Sequence, residues 1–243
     1  MSNNMSIGNI PVYKAEPKGE IKGGLIVIHE VWGLTDHIKD VADRYAREGY
    51  LVYAPDLLVN TGIEERVTAQ LQLDLFNPEK RNEVQPKMRE LMAPIQSPDF
   101  ARTTVEALKQ VFNNLYNVDS VNKKVAVVGF CFGGTYSYNL AVAEPRLIAA
   151  VPYYGHCDHS VDELKSIESI IMAFYGENDQ ALISTLPDLE NRMHEAGVDF
   201  AYKVYGGCGH AFFNDTNPYA YNKDAATDSW QRTLDFLHAS FNR

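Results

Sequence analysis

The sequence predicts an α/β protein with a mainly parallel central sheet flanked by helices on both faces. Three observations carry that expectation. Short, continuous apolar runs recur along the 243 residues, as strands buried on both faces require. Longer stretches with apolar residues at helical spacing separate them, so strand and helix alternate. The composition, 45% hydrophobic and 22% charged, is that of an ordinary globular domain and excludes disordered, collagen-like and low-complexity chains. With no linker, repeat or charge block at this length, residues 1–243 read as one domain.

Taken in order, Ile10 to Ala15 reads as an opening strand, and Pro11 argues for a sheet edge. Leu25 to Ile28, Leu51 to Tyr53, Val125 to Val128, Leu147 to Tyr153 and Ile170 to Tyr175 read as buried strands. Phe200 to Tyr205 alternates, which suits a strand nearer the sheet edge. Thr35 to Glu48 predicts a helix with a Thr or Asp cap and a stop at Gly49. Asp99 to Tyr116 follows Ser97-Pro98 and keeps apolar residues at helical spacing. Leu186 to Ala196 ends at Gly197, and Tyr219 to Phe241 closes the chain. Glu64 to Ala93 also reads as helical, divided by Pro78, Pro86 and Pro94.

Charge and cysteine usage narrow the function classes. Lys and Arg number 22 against 32 Asp and Glu, a net charge of −10, and no basic run occurs. Phosphate backbones and anionic lipid need a basic patch, so nucleic acid and membrane surfaces are not expected partners. No apolar run is long enough to span a bilayer, and no basic region followed by an apolar stretch suggests a secretory signal. The three cysteines, Cys131, Cys157 and Cys208, form no paired framework and no C-x-x-C spacing. A reduced, cytoplasmic setting is the expectation. The run His156-Cys157-Asp158-His159 packs four potential ligands together, but consecutive residues rarely converge on one ion, so no metal is expected.

The stretch Gly129-Phe130-Cys131-Phe132-Gly133-Gly134 lies between a strand and a helix expected from about Thr135. That is the context of a nucleophile elbow, G-x-S-x-G, with Cys in place of Ser. The glycines fit because a sharp, strained turn leaves no room for neighbouring side chains. The following helix N-terminus favours a thiolate there. A buried core cysteine beside a glycine-rich strand end would look alike in isolation, so the other residues decide. Asp179 follows the strand ending near Tyr175, and His210 follows the strand ending near Tyr205. Nucleophile, acid and histidine thus occur in the order this elbow requires, each beyond a strand's carboxyl end. Cys208 has no elbow and reads as a bystander thiol.

These motifs, with IVIHEVWGL, YLVYAPDL, FYGENDQ, GHAFFND and the closing WQRTLDFL, cover nearly the whole chain. The chain resembles the dienelactone hydrolase family, the cysteine branch of the α/β-hydrolase superfamily. The resemblance implies an α/β-hydrolase fold and a hydrolase without metal or cofactor. It implies that Cys131 attacks a small ester or lactone carbonyl, with His210 as base and Asp179 orienting it. It also implies that Glu30, in His29-Glu30-Val31-Trp32-Gly33, contacts the resting thiol and moves when substrate binds. Val31 and Phe132 are expected to offer backbone N–H groups to the oxyanion.

Substrate recognition is less determined. The family arginine four residues after the histidine is replaced here by Asn214, which weakens the case for dienelactone itself. Arg81 and Arg89 are candidates for a second family arginine that binds a substrate carboxylate, and a solvated helix charge is the bland reading of each. Trp32, Phe130, Phe132, Tyr153, Tyr154, Phe212 and Phe213 cluster near the motif loops as candidates for an apolar wall, with Trp32 and Tyr154 placed nearest substrate. A scaffold that binds small molecules without catalysis is the alternative function, and the intact triad argues against it. The sequence leaves the oligomeric state open, a monomer included.

Overall fold

The structure is a computed structural model, and it describes residues 3–63, 66–77 and 79–243. A short hairpin, β1 (Asn4–Ile7) and β2 (Ile10–Ala15), leads into β3 (Gly23–Ile28), α1 (Asp36–Arg47) and β4 (Tyr50–Pro55). Three helices follow, α2 (Ala69–Phe76), α3 (Arg81–Met92) and α4 (Pro98–Tyr116). Then come β5 (Val125–Phe130), α5 (Phe132–Ala143), β6 (Ala149–Tyr153), α6 (Val161–Leu164) and β7 (Ile170–Gly176). The chain finishes with α7 (Gln180–Ile183), α8 (Leu186–Ala196), β8 (Phe200–Tyr205) and α9 (Lys223–Phe241).

The strands form one eight-stranded sheet in the order β1-β2-β4-β3-β5-β6-β7-β8. Pairing is parallel from β4 through β8 and antiparallel at the β1 and β2 end. The fold is of the α/β-hydrolase type. Strands β3 to β6 are buried at every position, which is why their sequences are apolar without alternation. The outermost β8 is only partly buried, as its edge position requires, but its burial does not alternate: Ala201 and Val204 are exposed and Lys203 is half-buried. Apolar residues of α1 and α9 pack on one face of the sheet, and those of α4, α5 and α8 on the other.

Helix ends follow local chemistry. Ser97 accepts a hydrogen bond from the Phe100 N–H to cap α4, and Asn222 caps α9 through Ala225. The Asn222 cap starts α9 four residues later than the apolar pattern from Tyr219 suggested. The helix expected near Thr135 begins at Phe132, directly after Cys131. Pro86 does not divide α3: it lies inside the helix, where it removes one donor, and Met88 and Leu91 beyond it are buried. Pro94 opens a short 3₁₀ turn, Ala93–Gln96, while Glu64 and Pro78 lie outside the described residues.

Pro11 also sits differently from expectation. Strand β2 is not an edge, because β1 folds back onto it and covers that side. The β2–β4 register starts at the Val12–Pro55 pair, one position beyond Pro11. The Pro11 carbonyl accepts from the Asp56 N–H, so its nitrogen faces the same side, where the ladder has already ended.

The tightest packing is where α5 meets the sheet. A Cβ on Gly133 would lie 2.2 Å from the Ile28 carbonyl oxygen, and one on Gly129 would lie 2.0 Å from the Gly133 carbonyl oxygen. Both neighbours are backbone and cannot rotate away. Gly133→Ala is therefore expected to cost about 3 kcal/mol or more, as overpacking against an immovable wall. Gly19→Ala, with nothing within 4 Å, should stay within about 0.5 kcal/mol of the parent. Urea midpoints of the two variants check this, and equal midpoints would contradict it.

Candidate active site

The carboxyl ends of β3, β5, β6, β7 and β8 carry every group at the site, as an open parallel sheet favours. Cys131 occupies the turn between β5 and α5 with φ 56° and ψ −111°, a conformation that costs about 1–3 kcal/mol for a side-chain-bearing residue. Backbone bonds hold it there. The Cys131 N–H donates to the Tyr153 carbonyl at 3.0 Å, and the Gly133 N–H to the His29 carbonyl at 3.0 Å. Because α5 starts at Phe132, the half-buried Cys131 sulfur lies at a helix N-terminus, and the Phe132 N–H has no acceptor within the helix.

His210 meets both other members of the predicted set. Its Nδ1 is 2.5 Å from Asp179 Oδ2, and its side chain lines the same cavity as Cys131, which acts on it electrostatically. Burial disfavours a charged imidazole, yet the neighbouring Cys131 and the hydrogen bond that Nδ1 donates to the Asp179 carboxylate outweigh it. The His210 pKa is raised well above the ordinary value. Asp179 sits at the start of α7, with its N–H on the Gly176 carbonyl. The Asn178 N–H donates to the Cys208 carbonyl at 2.8 Å, which joins the Asp179 loop to the His210 loop. Cys208 itself is buried and contributes that carbonyl alone.

Glu30 bonds to Asn214 and Tyr154. Its carboxylate is buried, accepts from Asn214 Nδ2 at 2.6 Å, and receives a longer bond from the Tyr154 hydroxyl at 3.5 Å. Among the described residues no side-chain hydrogen bond joins Glu30 to Cys131. Asn214 is itself held in place. Thr216 donates to its Oδ1 from both the backbone N–H and the hydroxyl, which fixes the amide and turns its NH₂ onto Glu30. Burial raises the Glu30 pKa to about 7, against the lowering effects of Asn214, His210 and Tyr154.

Sequence reasoning missed His29. It is fully buried, its Nδ1 lies 2.6 Å from the Glu30 carbonyl, and its Nε2 accepts the Leu57 N–H at 3.0 Å. Burial lowers its pKa, so the ring is neutral, with the proton on Nδ1. Its signal in the sequence, a polar residue directly after an apolar strand, is too common to single out.

A cavity of about 800 Å³ opens in front of Cys131 and His210. Val31 and Trp32 line it from the β3 loop, and Phe76, Met88 and Met92 from α2 and α3. Arg81 and Arg89 both face it, and neither forms an ion pair among the described residues. Tyr154 does not line the cavity; it lies beneath the site, its ring 5.0 Å from that of His210, with φ 39°. Phe130, Tyr153, Phe212 and Phe213 pack in the core below, and only Trp32 of the expected aromatic wall reaches the cavity. The His156–His159 run lies outside it and finds separate partners: His156 pairs with Asp158, His159 with Asn139 and Glu163, and the Cys157 thiol is buried.

The family model for the dienelactone hydrolase family matches residues 10–241. The chain belongs to the dienelactone hydrolase family. It is similar to a Saccharolobus solfataricus protein provisionally named a carboxymethylenebutenolidase, at 32% identity over 94% of this chain and 93% of that one. The protein usf of Aquifex pyrophilus is 32% identical over 88% of this chain and 87% of its own length. A crystal structure from Klebsiella pneumoniae, provisionally assigned as a dienelactone hydrolase, superposes with a TM-score of 0.81 at 25% identity, covering 97% of each chain. As a member of the dienelactone hydrolase family, the chain is a hydrolase acting on ester or lactone bonds. No helix among the described residues is long and apolar enough to cross a membrane.

In this hydrolase His29 joins the β3 loop to the β4 loop through two buried backbone groups. His29→Phe leaves both without partners and is expected to cost about 2–4 kcal/mol. The neutral ring also makes stability depend on pH. Unfolded imidazole takes up a proton below about pH 6.5 while the folded ring resists it, so stability is complete above that pH and falls below it. Denaturation midpoints from pH 7.5 down to about 5 should fall less steeply in His29→Phe than in the parent.

Proposed function

We propose that the chain hydrolyses a small ester or lactone through Cys131, His210 and Asp179. The observation that carries this reading is the convergence of Cys131, His210 and Asp179 on one solvent-open cavity, with His210 Nδ1 bonded to Asp179 Oδ2 at 2.5 Å. His210 takes the thiol proton as the sulfur attacks the carbonyl carbon. The tetrahedral oxyanion is received by the N–H groups of Val31 and Phe132, beside the α5 N-terminus. The carbon–oxygen bond then breaks, His210 protonates the leaving oxygen, and an acyl thioester remains on Cys131. Water, deprotonated by His210, attacks the thioester; the acid leaves and the thiol regains its proton. Asp179 holds the imidazole in the tautomer with Nδ1 protonated throughout. Every group in the scheme stands on one sheet, so residues 1–243 act as a single domain. A half-buried catalytic thiol suits a reducing, cytoplasmic setting.

The substrate is read as a small molecule with an apolar body and an anionic group. Trp32, Phe76, Met88 and Met92 offer the apolar wall, and Arg81 and Arg89 face it without an ion pair among the described residues. A rival reading as a binding scaffold gains no support from a site whose nucleophile, base and orienting acid share one cavity.

Turnover of p-nitrophenyl esters tests the chemistry. Cys131→Ala should fall below about a thousandth of the parent rate. Because the His210 imidazolium is favoured, kcat/KM should hold from neutral into the alkaline range and decline only as that proton is lost, above the ordinary imidazole pKa. Asp179→Asn removes one of the interactions that raise that pKa, so the alkaline limb should move down while the rate drops about a hundredfold or more. An unmoved limb with full activity would remove Asp179 from the mechanism.

The arginines are tested with paired esters that differ only in a carboxylate. Arg81→Leu and Arg89→Leu together should raise KM for the anionic ester by about tenfold and change kcat, or either constant for the neutral ester, by less than about twofold. Equal losses on both esters would mean that the arginines do not read substrate charge.

A further inference from the structure

Two consecutive residues at the end of α2, Phe76 and Asn77, join that helix to two different loops of the site. The Phe76 ring meets that of Trp32, next to Val31 on the β3 loop, with centroids 6.3 Å apart. Asn77 Nδ2 donates to the Tyr219 hydroxyl at 3.4 Å, on the segment that follows His210. The end of α2 therefore spans from the loop bearing Val31 to the segment beyond His210. Trp32, Phe76 and Tyr219 all line the cavity between them.

Both partners of the Asn77–Tyr219 contact are aimed by their surroundings. Asn77 Oδ1 accepts the Glu79 N–H at 3.0 Å, which leaves the NH₂ to face Tyr219. Its carbonyl accepts the Lys80 and Arg81 N–H groups at 3.1 and 2.9 Å, so the residue is a fixed joint between α2 and α3. Across the cavity, the buried Asn217 accepts the Tyr219 N–H on Oδ1 at 3.1 Å and the Tyr221 N–H on its carbonyl at 2.9 Å. The Asn222 N–H returns to the Phe212 carbonyl at 2.9 Å and closes residues 212–222 into a loop. On that loop Tyr219 is 54% exposed and yet lines the cavity, which puts its ring at the rim. A ring left mostly in water gains little from burial, so the Asn217 turn and the Asn77 amide, not packing, hold it there.

We infer that Tyr219 is a specificity-determining residue: its ring, steadied by Asn77, blocks the cavity between the 212–222 loop and α2 and limits the length of ester that fits in front of Cys131. The inference deepens the proposed function and rests on the reading of Cys131 as the nucleophile. Trp32 and Phe76 are half-buried and packed against each other, so the opposite side of the opening does not give way. Tyr219 is fastened at its hydroxyl by one long bond. A short acyl or alcohol group stays inside the rim, whereas a longer one meets the ring and must break that bond to pass.

The test is the ratio of kcat/KM for p-nitrophenyl octanoate to that for the acetate, because a loss of stability or of the triad lowers both alike. Tyr219→Ala should raise the ratio by about tenfold, the scale on which a pocket discriminates between substrates that differ by methylenes. Tyr219→Phe keeps the ring and removes the bond, and Asn77→Ala removes the same bond from the other side; each should raise the ratio by about threefold. The two combined should exceed either alone by less than about twofold, since both delete one interaction. Tyr221→Ala is the control. That ring is also exposed but lines a separate hollow with Arg44 and Trp230, so the ratio should stay within about twofold of the parent.

A Tyr219→Ala ratio within about twofold of the parent, or below it, would overturn the inference, as would an equal rise in Tyr221→Ala. Turnover of the acetate separates this failure from that of the underlying reading. Loss of turnover in Cys131→Ala with an unmoved ratio in Tyr219→Ala overturns the role of Tyr219 alone. Turnover that survives Cys131→Ala overturns the nucleophile and, with it, this inference.

Discussion

The site depends on how closely α5 approaches β3. The Gly133 N–H reaches the His29 carbonyl at 3.0 Å, an approach possible only without a side chain at Gly133. That contact sets Cys131 against the loop bearing Glu30, Val31 and Trp32, and so fixes the sulfur relative to two backbone N–H groups. His29 carries the constraint outward, because its buried ring ties the Glu30 carbonyl to the Leu57 N–H. The Phe132 ring stacks on that of His29 with centroids 5.6 Å apart. One residue thus presents an N–H to the reacting centre and locks the neighbouring loop with its side chain. The strain at Cys131 persists because surrounding backbone bonds determine its position from both sides.

Much of this was legible in the sequence because burial on both faces leaves a plain record. The central strands read as apolar runs, and their carboxyl ends marked where Cys131, Asp179 and His210 come together. What stayed hidden depended on contacts between segments far apart in the chain. Nothing in Asn4–Ile7 announces that it pairs with β2 and takes the edge from Pro11. The run through Pro86 stays helical because Met88 and Leu91 are buried by neighbours that a local pattern does not contain. The partner of Glu30 is 184 residues away, and Asn214 drew notice only as a departure from a family pattern. Tyr154 looked like a cavity residue because it follows a strand, but its left-handed backbone turns the ring under His210 instead.

The charge distribution gives the site its chemical character. The chain carries a net charge of −10, and two of its carboxylates, Asp179 and Glu30, act on the same imidazole. Among the described residues no lysine or arginine bonds to either, so the cation that compensates them is the imidazolium itself. A protonated His210 is therefore the state that this arrangement favours, and on the proposed mechanism a proton leaving Cys131 creates it. The dipoles and charges are in place before substrate arrives, which spares the reaction the cost of arranging them.

Chemistry and recognition occupy different layers of the molecule. The proposed reacting groups stand on strand ends laced together by backbone hydrogen bonds, while α2 and α3 supply one side of the cavity wall. That side meets the rest of the site through contacts such as the Trp32–Phe76 ring pair at 6.3 Å and a 3.4 Å bond from Asn77 to Tyr219. A side chain exchanged on α3 changes which acyl group or charge can lie in front of Cys131 without disturbing the elbow. The reverse does not hold, because a change at Gly133 or His29 moves the sulfur itself. On the proposed reading, reaction class is written in short motifs at strand ends, whereas the choice of substrate would be spread over positions such as Arg81, Gln85, Met88, Arg89 and Met92, which line the cavity from one helix and also satisfy a plain amphipathic pattern.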